Sequence, residues 1–123
     1  MSEKKAFYIT TTLPYVNAEP HLGHALEFIR ADVIARYKKL SGLEVFFNTG
    51  TDEHGAKLLE AARKEGMEVK AYVDKNVSSF RNLYPLLGIS EDIRHIRTTD
   101  EKHVKAAQEM WRLCLKNGHI DKK

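Results

Sequence analysis

The chain is 123 residues long, 42% hydrophobic and 30% charged, with a formal net charge of +3. That length suits one domain able to bury roughly two-thirds of the surface its unfolded form exposes, and no apolar run approaches the ~20 residues that cross a bilayer, which argues against a membrane anchor. The lone Cys114 excludes an intrachain disulfide and a cysteine metal cluster, and basic residues scattered along the chain lean only weakly toward anionic partners.

Residues 1–5 carry no apolar signal core, so a cytoplasmic protein is expected. The run Tyr8, Ile9, Thr10, Thr11, Thr12, rich in β-branched residues, predicts a first strand, which empties into a loop punctuated by Pro14, Asn17 and Pro20. Leu22, Leu26, Ile29, Val33, Tyr37 and Leu40 advance by threes and fours, the stripe of a helix over 21–40 with Gly42 as its stop. Val45, Phe46 and Phe47 follow without alternation, as expected of a strand covered on both faces, and lead into a loop from Asn48 to Gly55. This strand, helix, strand unit predicts a right-handed crossover, two parallel strands and two loop tips side by side at their carboxyl ends.

A short helix over 56–64 ends near Gly66, and a second from about Val69 places Tyr72, Val73, Val77 and Phe80 on one stripe until Pro85 stops or kinks it. Residues 93–97 read as a third strand. Thr98 and Glu101 have the spacing of a capping box ahead of a last helix striped by Val104, Ala107, Trp111 and Leu115 and closed by Gly118. Trp111 and Phe80 are expected in the core. The fold class is therefore α/β, a parallel-sheet, Rossmann-like half-domain with flanking helices.

Chemistry concentrates at the two loop tips. His21 and His24 share one face at a helix start, where unpaired backbone N–H groups favour anions, and Gly23 between them leaves room for a phosphate or a flat ring. Asp52 stands at a strand's carboxyl end, where a buried carboxylate requires a cation; its bland reading is the N-cap of the next helix. Tyr15 suits an apolar ligand with a polar tip or a loop anchor, Asn17 a loop-fixing role, and Glu27 either the nucleotide or solvent. Glu53 and His54 with His21 and His24 offer a less favoured metal site, and a metal-dependent hydrolase would be built on His21, His24, Asp52 and His54. Arg94, His95 and Arg97 read as solvated surface, with contact to RNA as the sharper alternative.

Thr12, Leu13, Pro14, Tyr15 and Asn17, then His21, Gly23 and His24, then the segment from Thr49 to Gly55, together resemble the N-terminal catalytic region of class I aminoacyl-tRNA synthetases, in their methionine-specific branch. The resemblance implies a HUP-type nucleotide-binding fold and ATP-dependent activation of methionine to methionyl adenylate, followed by transfer to tRNA. It implies that Tyr15, Asn17, His21, Gly23, His24 and Glu27 contact ATP, brought with Mg2+ as substrate, with His21 and His24 catalytic. It further implies that Thr12, Leu13, Tyr15 and Asp52 contact methionine, with no metal held by this segment. Lys38, Lys39, Leu40 and Ser41 only superficially match the family's second, lysine-rich signature, because they end a helix. That signature, the connective insertion and the anticodon-binding domain are not in this sequence, so the expectation is a truncated catalytic domain, self-associating through an exposed sheet edge, or a non-catalytic ATP- or adenylate-binding module. Ala18 departs from the family's usual glycine and would be strained if its turn needed a positive φ.

Overall fold

A computed structural model describes residues 5–122. The expectation drawn from residues 1–5 falls almost wholly outside the described residues. Seven elements follow in the order β1 (Ala6–Thr10), α1 (Leu22–Leu40), β2 (Glu44–Thr51), α2 (Ala56–Lys64), α3 (Val69–Leu86), β3 (Arg94–Arg97) and α4 (Glu101–Lys116). The three strands form one parallel sheet in the order β1-β2-β3, with Tyr8 opposite Phe46 and Gly50 opposite Ile96. The chain is α/β, as expected.

β2 is longer than its apolar run. It continues through Asn48, Thr49, Gly50 and Thr51, all buried, because β3 pairs with that polar half. Gly50 is required there, since a Cβ would collide with the carbonyl oxygen of Ile96. The hydroxyls of Thr11 and Thr49 share a hydrogen bond of 2.6 Å, so polar residues enter the sheet in satisfied pairs. The amino half of β2 is not covered on both faces. Phe46 is 42% exposed, beside Tyr8 at 5.5 Å between ring centroids and beneath the Arg94 guanidinium at 4.6 Å.

The apolar stripe of α1 does not face the core. The residues α1 buries are Phe28, Ala31, Asp32 and Ala35, whereas Leu22, Leu26, Ile29, Val33, Tyr37 and Leu40 are exposed, Leu22 at 88%. At 100° per residue the two sets are centred roughly 150° apart, so the helix meets the core through Phe28 and two alanines while its longer apolar stripe points away. Asp32 is tolerated on the buried side because its carboxylate accepts from the backbone N–H of Ser90 at 2.9 Å, from the Ser90 hydroxyl at 2.5 Å and from Arg36 Nε at 2.6 Å. Burial pushes its carboxyl up, and these bonds with the Arg36 charge outweigh that and hold it below the usual range.

α3 follows its sequence pattern. Tyr72, Val73, Val77 and Phe80 are buried with Asn76 and Tyr84, and Pro85 is accommodated in the last turn, one residue before the helix ends. Phe28, Phe47, Leu58 and Phe80, each about fully buried, join Val16 at the centre of the core. α4 departs from expectation, for none of its residues is buried and Trp111 is 62% exposed. The Thr98 capping box is also absent. Asp100 is the N-cap of α4 without a side-chain cap bond, its carboxylate accepts from the backbone of Arg97 at 3.0 Å, and the Thr98 hydroxyl is occupied by the backbone N–H of Glu53 at 2.9 Å.

Candidate active site

Two segments meet at the carboxyl ends of β1 and β2. The backbone N–H of Asp52 donates to Pro14 O at 2.8 Å, and that of Val16 donates to Asp52 O at 3.3 Å, making a parallel bridge between Tyr15 and Asp52 beyond the sheet proper. The loop from β1 and the loop from β2 are therefore joined by main chain, as the crossover predicted. Tyr15 lies across the second loop: a Cβ on Gly55, whose φ is +128°, would fall 2.7 Å from the Tyr15 hydroxyl. Gly55, not Asp52, is the N-cap of α2. Asp52 is half-buried, and its Oδ1 accepts from the backbone N–H of His54 at 3.3 Å, a bond within its own turn.

The first loop is held again on its far side. Asn76 Nδ2 donates to the carbonyl of Val16 and the Tyr72 hydroxyl to that of Asn17, both at 2.8 Å. Both donors are on α3, four residues apart. The Asn17 side chain is exposed, and Ala18 needs no positive φ, so the alanine is unstrained. Nearer β1, Glu27 takes Thr12 with both carboxylate oxygens, from its backbone N–H at 2.7 Å and its hydroxyl at 2.8 Å. That clamp ties α1 to the exit of β1 at Thr12.

His21 is the N-cap of α1. Its Nδ1 accepts from the backbone N–H of Gly23 at 3.1 Å, while His24 Nδ1 accepts from the backbone N–H of His21 at 3.2 Å. The two rings stack at 3.8 Å between centroids, and His24 packs edge-on against Phe80 of α3 at 5.0 Å. An Nδ1 that accepts a backbone proton carries none itself, so each neutral ring bears its N–H at Nε2. Burial, then the neighbouring His21, lowers the pKa of His24, with Glu27 opposing. The space over Gly23 is filled by the His21 ring itself, since a Cβ there would come within 2.9 Å of His21 Cε1.

Other residues of the sequence reading stand apart. The Glu53 side chain turns into the protein, where it accepts from Arg97 Nε and the Thr51 hydroxyl at 2.7 Å and from the Thr99 hydroxyl at 2.5 Å. Burial alone would raise its pKa, but these bonds and the Arg97 charge hold it low. Arg97 is in turn bound to Asp74 at 2.6 Å, so it is a half-buried strut between β3, the loop after β2 and α3 and not solvated surface. His95 is also inside, its Nδ1 2.7 Å from the Tyr84 hydroxyl, and burial lowers its pKa to about 4. Only Arg94 of the three cations is exposed. His54 is exposed with Nε2 3.2 Å from Thr98 O, and among the described residues no three histidine, cysteine or acidic side chains are grouped to hold a metal ion. The hydrolase reading loses its ligands.

Sequence reasoning missed the contribution of α3 to this site. The signal was present as Tyr72, Asn76, Phe80 and Tyr84 at intervals of four, but a polar Asn76 within an apolar stripe gives no address for its bond.

A family model described as tRNA synthetases class I (M) matches residues 7–123. The chain belongs to that family. Among class I synthetases it is 48% identical over 122 residues to the methionine–tRNA ligase of Brucella suis biovar 1 (strain 1330), covering 99% of this chain and 23% of that protein. It is also 48% identical over 116 residues to the methionine–tRNA ligase of Thermotoga maritima, covering 94% of this chain and 18% of that protein. Mycobacterium tuberculosis methionyl-tRNA synthetase in complex with methionyl-adenylate superposes with a TM-score of 0.89 at 46% identity, over 93% of this chain and 22% of that one. The ternary complex of Agrobacterium radiobacter K84 agnB2 LeuRS with tRNA and LeuAMS gives 0.83 at 25% identity, over 95% and 15%. The chain thus spans less than a quarter of each of these synthetases, and its neighbours share the Rossmann-like catalytic fold.

Proposed function

We propose that this chain supplies the first nucleotide-binding signature and part of the amino-acid pocket of a methionine–tRNA ligase, as the N-terminal portion of its catalytic domain. The second signature loop, connective insertion and anticodon-binding domain would be contributed by sequence beyond these 123 residues. The carrying observation is the convergence of two loop tips, one leading to the paired imidazoles of His21 and His24, the other bearing Asp52 and bridged to Tyr15. The likeness to proteins named as methionine–tRNA ligases supplies the substrate.

In this reading a methionine carboxylate oxygen attacks the α-phosphorus of ATP, which enters with Mg2+ as part of the substrate. A bond forms from that oxygen to phosphorus, the bond to the bridging oxygen breaks, and pyrophosphate leaves. A carboxylate is already ionised at neutral pH, so no general base is needed, and positioning with charge stabilisation carries the rate. The Nε2–H groups of His21 and His24 donate to phosphate oxygens as charge builds, helped by the positive end of α1. Asp52 accepts the α-ammonium group, and Thr12, Leu13 and Tyr15 border the methionine side chain. Of the residues expected at the nucleotide, Tyr15, Asn17 and Gly23 shape the wall, while Glu27 acts through Thr12, which it clamps. The methionyl group then passes to the terminal adenosine of tRNA, in the cytoplasm: a ribose hydroxyl oxygen gives up its proton and bonds to the carbonyl carbon, the bond from that carbon to the phosphate oxygen breaks, and AMP leaves.

Methionine-dependent pyrophosphate exchange tests the reading. The complete ligase should exchange with methionine and fall by about 10²- to 10³-fold in kcat when His24→Ala removes one donor. Binding of a non-hydrolysable methionyl-adenylate analogue with no exchange would leave a binding module in place of an enzyme.

A further inference from the structure

We infer that Tyr72 and Asn76 of α3 are positioning residues for the imidazole side of the site, fixing through the carbonyls of Asn17 and Val16 where His21 and His24 present their Nε2 donors. The inference rests on the reading under Proposed function. α3 offers a row at intervals of four: the Tyr72 hydroxyl on Asn17 O, Asn76 Nδ2 on Val16 O, and the Phe80 ring against His24. The first two side chains are 3% and 2% exposed, so their bonds are made out of competition with water. Pro14 and Val16 are already fixed on the other side by the backbone of Asp52. The loop is therefore pinned at two places with different consequences. The pin to Asp52 sets the methionine side, and the pin to α3 sets the segment that leads from Asn17 to His21.

That division makes the roles separable. Tyr72→Phe and Asn76→Leu keep apolar bulk and delete the donors. Made in the complete ligase, each should lower kcat for pyrophosphate exchange roughly 10- to 100-fold while the KM for methionine stays within about twofold. Tyr84→Phe is the control. It deletes an equally placed hydroxyl of the same helix, bound to His95 and away from the loop, and should lower stability while leaving kcat intact. Variants whose kcat matches wild type, or falls no further than in Tyr84→Phe, would overturn the inference, and if Asn76→Leu does not fold, Tyr72→Phe decides alone. Should the unaltered ligase show no methionine-dependent exchange, the reading under Proposed function fails. The inference is then judged by amide hydrogen exchange in the 123-residue chain: faster exchange at the start of α1 in Tyr72→Phe than in Tyr84→Phe sustains it, and equal exchange overturns it.

Discussion

Each ring of the His21 and His24 pair uses Nδ1 for the backbone and leaves Nε2 for a ligand. On the proposed reading, activity and folding are consequently coupled at His21. His21→Ala should lose both the donor and the cap, at a cost of about 1 kcal/mol in unfolding free energy, whereas His21→Asp should keep the cap and lose exchange activity. Urea titration of the two variants beside wild type separates these effects, and equal stabilities would remove His21 from the cap. Gly55 makes a second residue-scale case. Its φ of +128° disfavours any side chain, and a Cβ would strike the Tyr15 hydroxyl. Gly55→Ala should cost on the order of 1–3 kcal/mol and shift the Tyr15 ring signals in an NMR spectrum. Unaltered Tyr15 shifts would disprove that close approach.

Among elements, the loop after β2, β3 and α3 are tied by Arg97 between Glu53 and Asp74. The Glu53 side chain is fully buried, so removing its cation is costlier than losing a surface pair: Arg97→Met should lower stability by about 3–5 kcal/mol, and the double change with Glu53→Gln should recover part of that. No recovery in the double variant would mean that Arg97 acts independently of Glu53. His95 adds a pH dependence. Burial first, then the Arg81 charge, lowers its pKa from 6.5 to about 4, so in that interval the unfolded chain binds the proton that the folded chain refuses. Stability should be full above pH 6.5 and decline toward pH 4, on the order of 2–3 kcal/mol, and His95→Leu should flatten that slope in denaturation followed at several pH values. The neighbouring carboxylates act in the same direction, since Glu53 and Asp74 are both held low and lose stabilisation as pH falls through their folded values. These ties were not legible beforehand. Helix and strand positions followed from periodicity and turn residues, which act locally, but which partner meets Arg97, His95 or Asn76 depends on contacts between residues 11 to 60 positions apart.

At the scale of the molecule, apolar surface lies on α1 and on the outer sheet face, where Leu26, Ile29, Val33 and Tyr37 and then Tyr8 and Phe46 are exposed beside a strand, β1, that pairs on one side only among the described residues. A free strand edge next to apolar side chains favours association. Isolated, the chain should self-associate, and Leu26→Glu with Ile29→Lys should favour monomer in sedimentation without loss of stability, because neither side chain is in the core. A monomer at high concentration for the unaltered chain would contradict this. The same surface shows why periodicity located α1 without telling which face meets the sheet: an apolar stripe reports that a surface is to be covered and is silent about what covers it. Loop convergence was better anticipated, because strand, helix, strand connectivity has one hand and so puts both tips at one end.

The join between Tyr15 and Asp52 is made entirely by peptide groups. Distance between the two tips is thereby independent of the side chains they bear, so on the proposed reading residues 13 and 15 can be exchanged to suit a different amino-acid side chain without resetting the frame, while Asp52 meets the α-ammonium group common to all of them. A backbone that keeps its shape in a 25% identical LeuRS is what a frame set by peptide groups would leave behind.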